Sequence, residues 1–392
     1  MNVGRTVFSQ IMEFVPRHEF RRIVKQHRGE RYVQHFTCWE QYLSMAFAQL
    51  TSREGLRDTV TCLRSLGPRL YQSGIRSRVS RSTLADANER RSWEIYRDLA
   101  LVLIERARVL YQDDRLLSEI NSAVYALDAT TIELCLSLFP WARAQNHLAT
   151  AAGVKLHTLL DVQQNIPVFA RVSVANLNEV RILDELVFEP GAFYVLDRGY
   201  TDFARLKTID RAKAFFVIRA KRGLRFVRTV SHTVDKTRGI RVDQTIHLVI
   251  QKSLEGYPDG LRRIKFFEAE KKRSFIYLTN NFDLDAAIIA ELYRSRWKIE
   301  LFFKWIKQHL RIKAFFGTSL NAVNTQIWIA LSVFLLVAII KKELRIDASL
   351  YTILQILSVT LLEKEQLNQL LTETALSFEG TSPCNQLSIF DY

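Results

Sequence analysis

Residues Tyr293 to Lys307 read YRSRWKIELFFKWIK and hold neither Gly nor Pro, so the stretch is predicted as helix. Asp283 and Asp285 stand before an Ala/Ile/Leu run and supply a start signal. With Tyr293 at zero and about 100° per residue, Arg296 falls near −60°, Glu300 near −20° and Lys307 near −40°. By the same count Lys304 and Arg311 return to about +20° and 0°. One carboxylate thus shares a narrow stripe, about five turns long, with five cations or hydrogen-bond donors. Ile299, Phe302, Phe303, Trp305 and Ile306 occupy the other faces and can bury the helix. A solvated helix of mixed charge is the plain reading of such a pattern. A lone acid ringed by cations also fits a closely spaced polyanion, DNA above all, with the acid holding a metal ion.

Composition points the same way. Lys plus Arg number 55 against 41 acids, giving +14 over 392 residues and a pI near 9.7. An excess spread along the chain favours a polyanionic partner over a local acidic substrate. The four cysteines (Cys38, Cys62, Cys135, Cys384) form no CxxC pair, which argues against a zinc module or a disulfide framework and fits a reducing cytoplasm. The N-terminus has no signal pattern. Ile327 to Ile340 is apolar apart from Ser332, too short to span a bilayer and right for a buried helix.

Residues 1–120 are predicted helical. Cys38 to Leu50, Arg53 to Leu66 and Arg91 to Leu110 carry apolar residues at three- and four-residue spacing, broken by Gly67-Pro68 and Gly74. Ser80 to Thr83 is a capping signal for a helix through Asn88 to Arg91. With Arg76, Arg78, Arg81, Arg90 and Arg91 close by, it resembles a helix-turn-helix entry that grips phosphates.

Strands are predicted from about residue 122: Ala123 to Leu127, Gly153 to Leu160, Pro167 to Val174, Phe193 to Leu196 and Phe215 to Ile218. Helices are expected at Glu179 to Leu186 and Asp202 to Ile209. A three-strand meander followed by helix, strand, helix, strand is an α/β order with a mixed sheet. Asp128 and Asp197 each lie where an apolar strand meets a polar turn. Carboxylates there can be turn-formers or caps, but in open α/β sheets the same position is where sites are built. Together with Glu300 they offer three hard oxygen ligands suited to Mg²⁺ or Mn²⁺. Two such ions about 4 Å apart could activate water and stabilise a leaving oxygen in phosphodiester displacement. Residues 221–280 read as an antiparallel β-insert with basic loops. Asn321 to Leu344 and Ser349 to Leu371 read as two apolar helices, and a mobile tail is expected from Ser377.

The spacing Tyr293-x2-Arg296-x3-Glu300-x6-Lys307 resembles the YREK signature of bacterial insertion-sequence DDE transposases, specifically insertion-sequence family four. Leu127 to Ile132 (LDATTI) looks like that family's first acidic motif. Asp197-Arg198-Gly199-Tyr200-x2-Phe203 looks like its second, and Gly153 to His157 (GVKLH) matches the strand between.

The resemblance is strong over about 120–315. It implies an RNase H-like mixed-sheet catalytic core over 121–315 with its β-insertion at 221–280. Flanking it would be a helical DNA-binding domain (1–120), a helical C-terminal domain (316–376) and a flexible tail (377–392). Asp128, Asp197 and Glu300 would hold two Mg²⁺ or Mn²⁺ ions. Tyr293, Arg296 and Lys307 would grip the phosphates of the transposon-end strand, with Lys304 and Arg311 on the same stripe. Trp297 would lie near the scissile end, although burial explains a Trp equally well.

Relatives that cut through a DNA hairpin can use aromatic residues of the insert to receive a flipped base. Here the insert has no Trp, so Tyr257 or a Phe would have to serve. The function implied is cleavage at terminal inverted repeats and strand transfer into double-stranded target DNA by a homodimer. The alternatives are a metal-dependent nuclease without strand transfer and a catalytically silent DNA-binding repressor. Gln386-Leu387-Ser388-Ile389-Phe390 resembles the pentapeptide by which bacterial replication proteins dock on the sliding clamp. His147, His157 and His309 have no metal-ligand spacing and are assigned no chemistry.

Overall fold

The computed structural model describes residues 4–76, 78–112, 122–142, 151–269, 272–309 and 315–372. It opens with helices α1 (Val7–Glu13), α2 (Arg17–Gln26), α3 (Cys38–Leu50), α4 (Leu56–Leu66), α5 (Pro68–Gln72), α6 (Arg81–Arg90) and α7 (Glu94–Tyr111). Strands β1 (Val124–Cys135), β2 (Ala151–Asp161), β3 (Ile166–Val174) and β4 (Phe193–Leu196) follow, then α8 (Phe203–Arg211) and β5 (Phe215–Arg219). Next come β6 (Phe226–Ser231), β7 (Ile240–Leu248), α9 (Gln251–Gly256), β8 (Leu261–Glu268) and β9 (Arg273–Thr279). Helices α10 (Ala286–Ser295), α11 (Trp297–His309), α12 (Leu320–Glu343) and α13 (Leu350–Thr360) complete the order. Two compact units result, Gln112–Lys304 and the pair of segments Met1–Tyr111 and Trp305–Tyr392.

The first of these units is built on one sheet of order β3-β2-β1-β4-β5-β9-β8-β7-β6. β1, β2 and β3 form an antiparallel meander, while β4 and β5 run parallel to β1. A 3₁₀ segment, Glu179–Glu185, and α8 supply the crossovers that parallel pairing requires. Tyr125, Leu127, Tyr194, Leu196, Phe216 and Ile218 point into one core with Leu206 and Ile209 of α8.

One sequence expectation changes here, and another gains its place in the sheet. β1 does not stop at Leu127. It continues through Asp128 to Cys135, paired with β2 from Asp128↔Thr158 to Cys135↔Ala151, because its half-exposed, β-branched second half still fits a ladder. The strands of 221–280 are antiparallel, as read from sequence, and they join the core sheet. β9 pairs antiparallel with β5 (Val217↔Thr279, Ile218↔Leu278), so β9, β8, β7 and β6 extend the core sheet by covering its open edge.

The other unit is organised around α12, whose residues Ala322 to Ile340 are all buried. That helix is long and apolar enough to cross a membrane by length and composition, longer than the run read from sequence. Its whole apolar window is nonetheless covered by protein, the setting of a core helix. Its cover comes from both ends of the chain. Trp93 stacks on Trp328 at 6.4 Å, Tyr111 Oη donates to Ala338 O at 2.8 Å, and Phe8 N donates to Leu361 O at 2.8 Å. Residues 1–120 and 316–376, read as two helical domains, therefore contribute to one core. A helix apolar on every face cannot be buried by its sequence neighbours alone.

Candidate active site

The site begins with a register. β1 and β4 are parallel neighbours, and their last paired residues are Leu127 and Leu196. Asp128 and Asp197 are the next residue on each strand, so both carboxylates stand at one level, where β4 ends and β1 runs on past its parallel neighbour. Asp128 Oδ1 accepts the Ala129 N–H at 2.8 Å. Asp197 opens the short 3₁₀ turn Arg198–Tyr200.

The helical stretch is broken where the sequence reads it as continuous. Ser295 Oγ donates to Leu292 O at 2.6 Å, drawing on a carbonyl the helix ladder needs. The bonds on either side tighten to three-residue spacing, with Arg296 N donating to Tyr293 O and Ile299 N to Arg296 O. α10 therefore ends before Arg296 and α11 starts after it. The step is local: Arg296 stays in the αR region at φ −55° and ψ −28° and pairs with Glu300 at four-residue spacing.

What the break produces is a collecting point. Arg296 Nη1 donates to Asp128 Oδ2 at 3.0 Å, and Nη2 donates to Glu300 Oε1. Tyr293 Oη donates to Asp197 Oδ1 at 3.3 Å, and its ring lies against Tyr277 at 4.5 Å. The Arg296 guanidinium stands 5.9 Å from the Tyr293 ring. Three acids separated by 69 and 103 residues in the chain are thus gathered about one arginine and one tyrosine.

Burial pushes the Asp128 carboxyl up to about 6, with Asp197 and Glu300 adding to the rise while the Ala129 N–H and Arg296 oppose it. Burial likewise raises Tyr293 to about 12, so its phenol stays protonated and acts as a donor. Burial alone would lower Arg296, but Tyr293, Glu300 and Asp128 together raise it, so it remains a cation.

The donor set suits a hard divalent ion: three carboxylates from separate elements and oxygen only. The Tyr200 hydroxyl is buried with no hydrogen-bond partner among the described residues, in the field of Asp128 and Asp197, and Arg296 Nε is also unpartnered. Such orphaned polar atoms mark a place that expects ligands or water. In the arrangement seen, no three His, Cys, Asp or Glu side chains among the described residues stand close enough to hold one ion. Arg296 lies between Asp128 and Glu300 and donates to both, one cation for two carboxylates.

The remaining sequence candidates fall as follows. Trp297 is 53 % exposed, which removes the buried-core reading for it. Lys304 is exposed and Lys307 half-buried, both further along α11. Arg311, His147 and the tail residues Gln386, Leu387, Ser388, Ile389 and Phe390 lie outside the described residues. Tyr257 cannot receive a flipped base, since it is 1 % exposed and packs edge-on against Phe216 in the core. His157 is buried, bonded to Ser173 Oγ at 2.8 Å and held near 4 by burial, hence neutral. Tyr200 figures in the sequence only as part of the second acidic motif, with no role of its own. Its place three residues after Asp197, in a turn that folds back on the strand end, was the available signal.

Residues 121–336 match the family model described as the transposase DDE domain. The chain belongs to the DDE transposase family. Residues 3–76 of the transposase match a domain of unknown function (DUF4372). A Sinorhizobium fredii protein described as a transposase, y4zB, is 34% identical over 267 residues, covering 67% of this chain and 72% of that protein. A Geobacillus stearothermophilus protein described as the transposase for insertion sequence element IS5377 is 27% identical, covering 54% of each chain. A Synechocystis protein described as the transposase for insertion sequence element IS4SA is 21% identical, covering 82% of this chain and 89% of that one. Among solved structures, the piggyBac transposase synaptic complex with hairpin DNA shows a distant likeness. Its TM-score is 0.46 at 10% identity, over 96% of this chain and 80% of that chain. Membership in the DDE family implies dependence on divalent metal ions in general.

Proposed function

We propose that this transposase binds the terminal inverted repeats of an insertion sequence, cuts there, and joins the freed 3′-hydroxyl to double-stranded target DNA. The reading places it in insertion-sequence family four, with an RNase H-like core in β1 to β5 and the YREK residues Tyr293, Arg296, Glu300 and Lys307. The observation that carries it is the gathering of Asp128, Asp197 and Glu300 around Arg296 and Tyr293.

Asp128, Asp197 and Glu300 are the proposed ligands of two Mg²⁺ or Mn²⁺ ions. When bound, those ions would make water or a 3′-hydroxyl nucleophilic and stabilise the leaving oxygen. The protein's own part is positioning. Arg296 and Tyr293 hold the acids in register and, when DNA arrives, turn their N–H and O–H groups to its phosphates. Trp297, Lys304, Lys307 and Arg311 extend that grip along the transposon end. Tyr293 is a phosphate contact and not a nucleophile, in keeping with its raised pKa. Paired ends would be held by a homodimer, and the tail motif Gln386 to Phe390 would dock on the sliding clamp. Deleting 386–390 then abolishes clamp co-purification and spares cleavage.

The test supplies a pre-cut end bearing a 3′-hydroxyl, plasmid target and Mg²⁺. Joined product is expected from the native chain and none from Asp128→Ala. Nicked plasmid without joined product would mean a nuclease instead. Undiminished joining by Asp128→Ala would remove the site proposed.

A further inference from the structure

The N-terminal helices enclose a cavity of about 1300 Å³ that the catalytic reading does not use. It lies within residues 5–76, the part of the chain whose matching family has no known function. Arg17, Arg21, Lys25, Arg28, Arg31 and Arg76 line it, and none of them has a carboxylate within ion-pair distance among the described residues. The acids of the lining are already engaged. Glu13 pairs with Arg5, Glu30 Oε1 accepts the Cys38 N–H at 3.2 Å, and buried Glu40 accepts from Thr37 N at 3.0 Å and Arg76 N at 3.0 Å.

The placement of these cations is regular. Arg17, Arg21 and Lys25 recur every four residues on α2 and share the face opposite buried Ile23, and Arg28 follows just past the helix end in a left-handed turn at φ +51°. Like charges at that spacing work against the helix that carries them. Its rise is about 6 Å per step, comparable to the phosphate interval of an extended nucleic-acid strand.

The wall also has aromatic character. Arg17 lies over the Trp39 ring at 4.1 Å, and the buried Trp39 Nε1–H has no acceptor among the described residues. Tyr71 is 63 % exposed with Arg76 stacked at 5.6 Å. Gly74, at φ +96°, brings the backbone in close. A Cβ there would sit 3.3 Å from Trp39 Nε1 and 3.6 Å from Arg17 Nη2. Burial lowers the pKa of Arg17, with the charges of Arg21 and Arg76 adding to the fall and Glu13 opposing it.

We propose that this cavity is a binding groove for single-stranded DNA, in which the cations of α2 and Arg28 track the phosphates while exposed Tyr71 meets the bases. A concave channel of cations and aromatics suits one strand. A duplex is read by elements that protrude into its grooves. The proposal rests on the transposase reading and extends it, giving the N-terminal helices an unpaired strand at the transposon end to hold.

The test measures equilibrium binding of the full chain to a fluorescent thymidine 20-mer and to a duplex of equal length. It is done in EDTA across a salt series, so the result does not depend on whether the acids carry out strand transfer. Loss of the α2 cations is expected to weaken single-strand binding at least tenfold and to leave duplex binding, which the residues of α10 and α11 supply, within about twofold. Each neutralised phosphate contributes about 0.7 to the slope of log affinity against log salt for single strands. Replacing three cations (Arg21→Ala with Lys25→Ala and Arg28→Ala) is therefore expected to make that slope shallower by about 2. The charge-keeping pair Arg21→Lys with Arg28→Lys is expected to retain it, which separates lost contacts from lost folding. An unchanged slope in the triple variant, an equal loss of duplex and single-strand binding, or full displacement by inorganic tripolyphosphate at equal phosphate concentration would each overturn the proposal.

Discussion

Arg262 is the most demanding side chain of the catalytic unit. It is 8 % exposed and bonded in bidentate fashion to Asp243, itself 4 % exposed, through Nε to Oδ1 at 3.0 Å and Nη2 to Oδ2 at 2.7 Å. Its remaining nitrogen, Nη1, donates to Leu284 O at 2.6 Å and Asn281 O at 3.4 Å. Those carbonyls belong to the turn before α10, whose N-cap is Asp285, and α10 carries Tyr293. The pair therefore ties β7 and β8 to the helix that reaches the acids.

Arg262→Met keeps most of the volume but leaves the Asp243 carboxylate buried without its cation, at a cost of about 3–5 kcal/mol. For a unit of this size about 2–4 °C of midpoint is lost per kcal/mol, so thermal unfolding is expected about 6–20 °C lower. Adding Asp243→Leu removes the stranded charge. The double variant should recover most of the loss, short of about 1–3 kcal/mol for buried carbonyls that still lack a donor. The assay is a thermal and urea double-mutant cycle. A single-variant cost below about 1 kcal/mol, or a double variant as damaged as the two singles added, would refute the reasoning.

Two further outcomes follow from the acids and the helix break. Because the Asp128 pKa is raised to about 6, its contribution to stability is full below the unfolded value near 4 and is lost as pH rises through 6. Its side chain is 20 % exposed, and the contribution is on the order of 2–3 kcal/mol. Asp128→Asn should thus be the more stable protein at pH 7.5, with the advantage gone at pH 4; unfolding midpoints equal at both pH values would contradict this. Ser295→Ala removes the back-bond to Leu292 O, so unfolding should change by no more than about 0.5 kcal/mol while strand joining falls several-fold. Joining at the native rate would mean the hydroxyl does not set the position of Arg296.

Much of the fold is legible in local pattern. Thr37 and Ser80 cap α3 and α6 where the polar residues stand, and the apolar runs of β4 and β5 mark buried parallel strands. What local pattern misses is set by tertiary pairing. β1 runs past Asp128 because β2 is there to pair with it, and β9 joins β5 although an insert in sequence carries no sign of which edge it will extend. Asp128, Asp197 and Glu300 were legible as a group of acids near strand ends and a cationic helix. Their route together was not, since it depends on a helix interruption with no Gly or Pro to announce it, only Ser295 bonding back on its own turn. The cation stripe of α2 was in plain view as a four-residue repeat, but its facing wall is supplied by Tyr71, Gly74 and Arg76 far along the chain.

The central claim is that the gathered carboxylates act as ligands of divalent ions that serve strand joining. Asp197→Cys puts a soft sulfur ligand where a hard oxygen stood, and Mn²⁺ accepts sulfur more readily than Mg²⁺. Joining of a pre-cut end by this variant is the direct measurement. The expected result is a loss of at least about a hundredfold with Mg²⁺ and recovery of at least tenfold with Mn²⁺. Equal activity in the two metals, whether both retained or both lost, would contradict it.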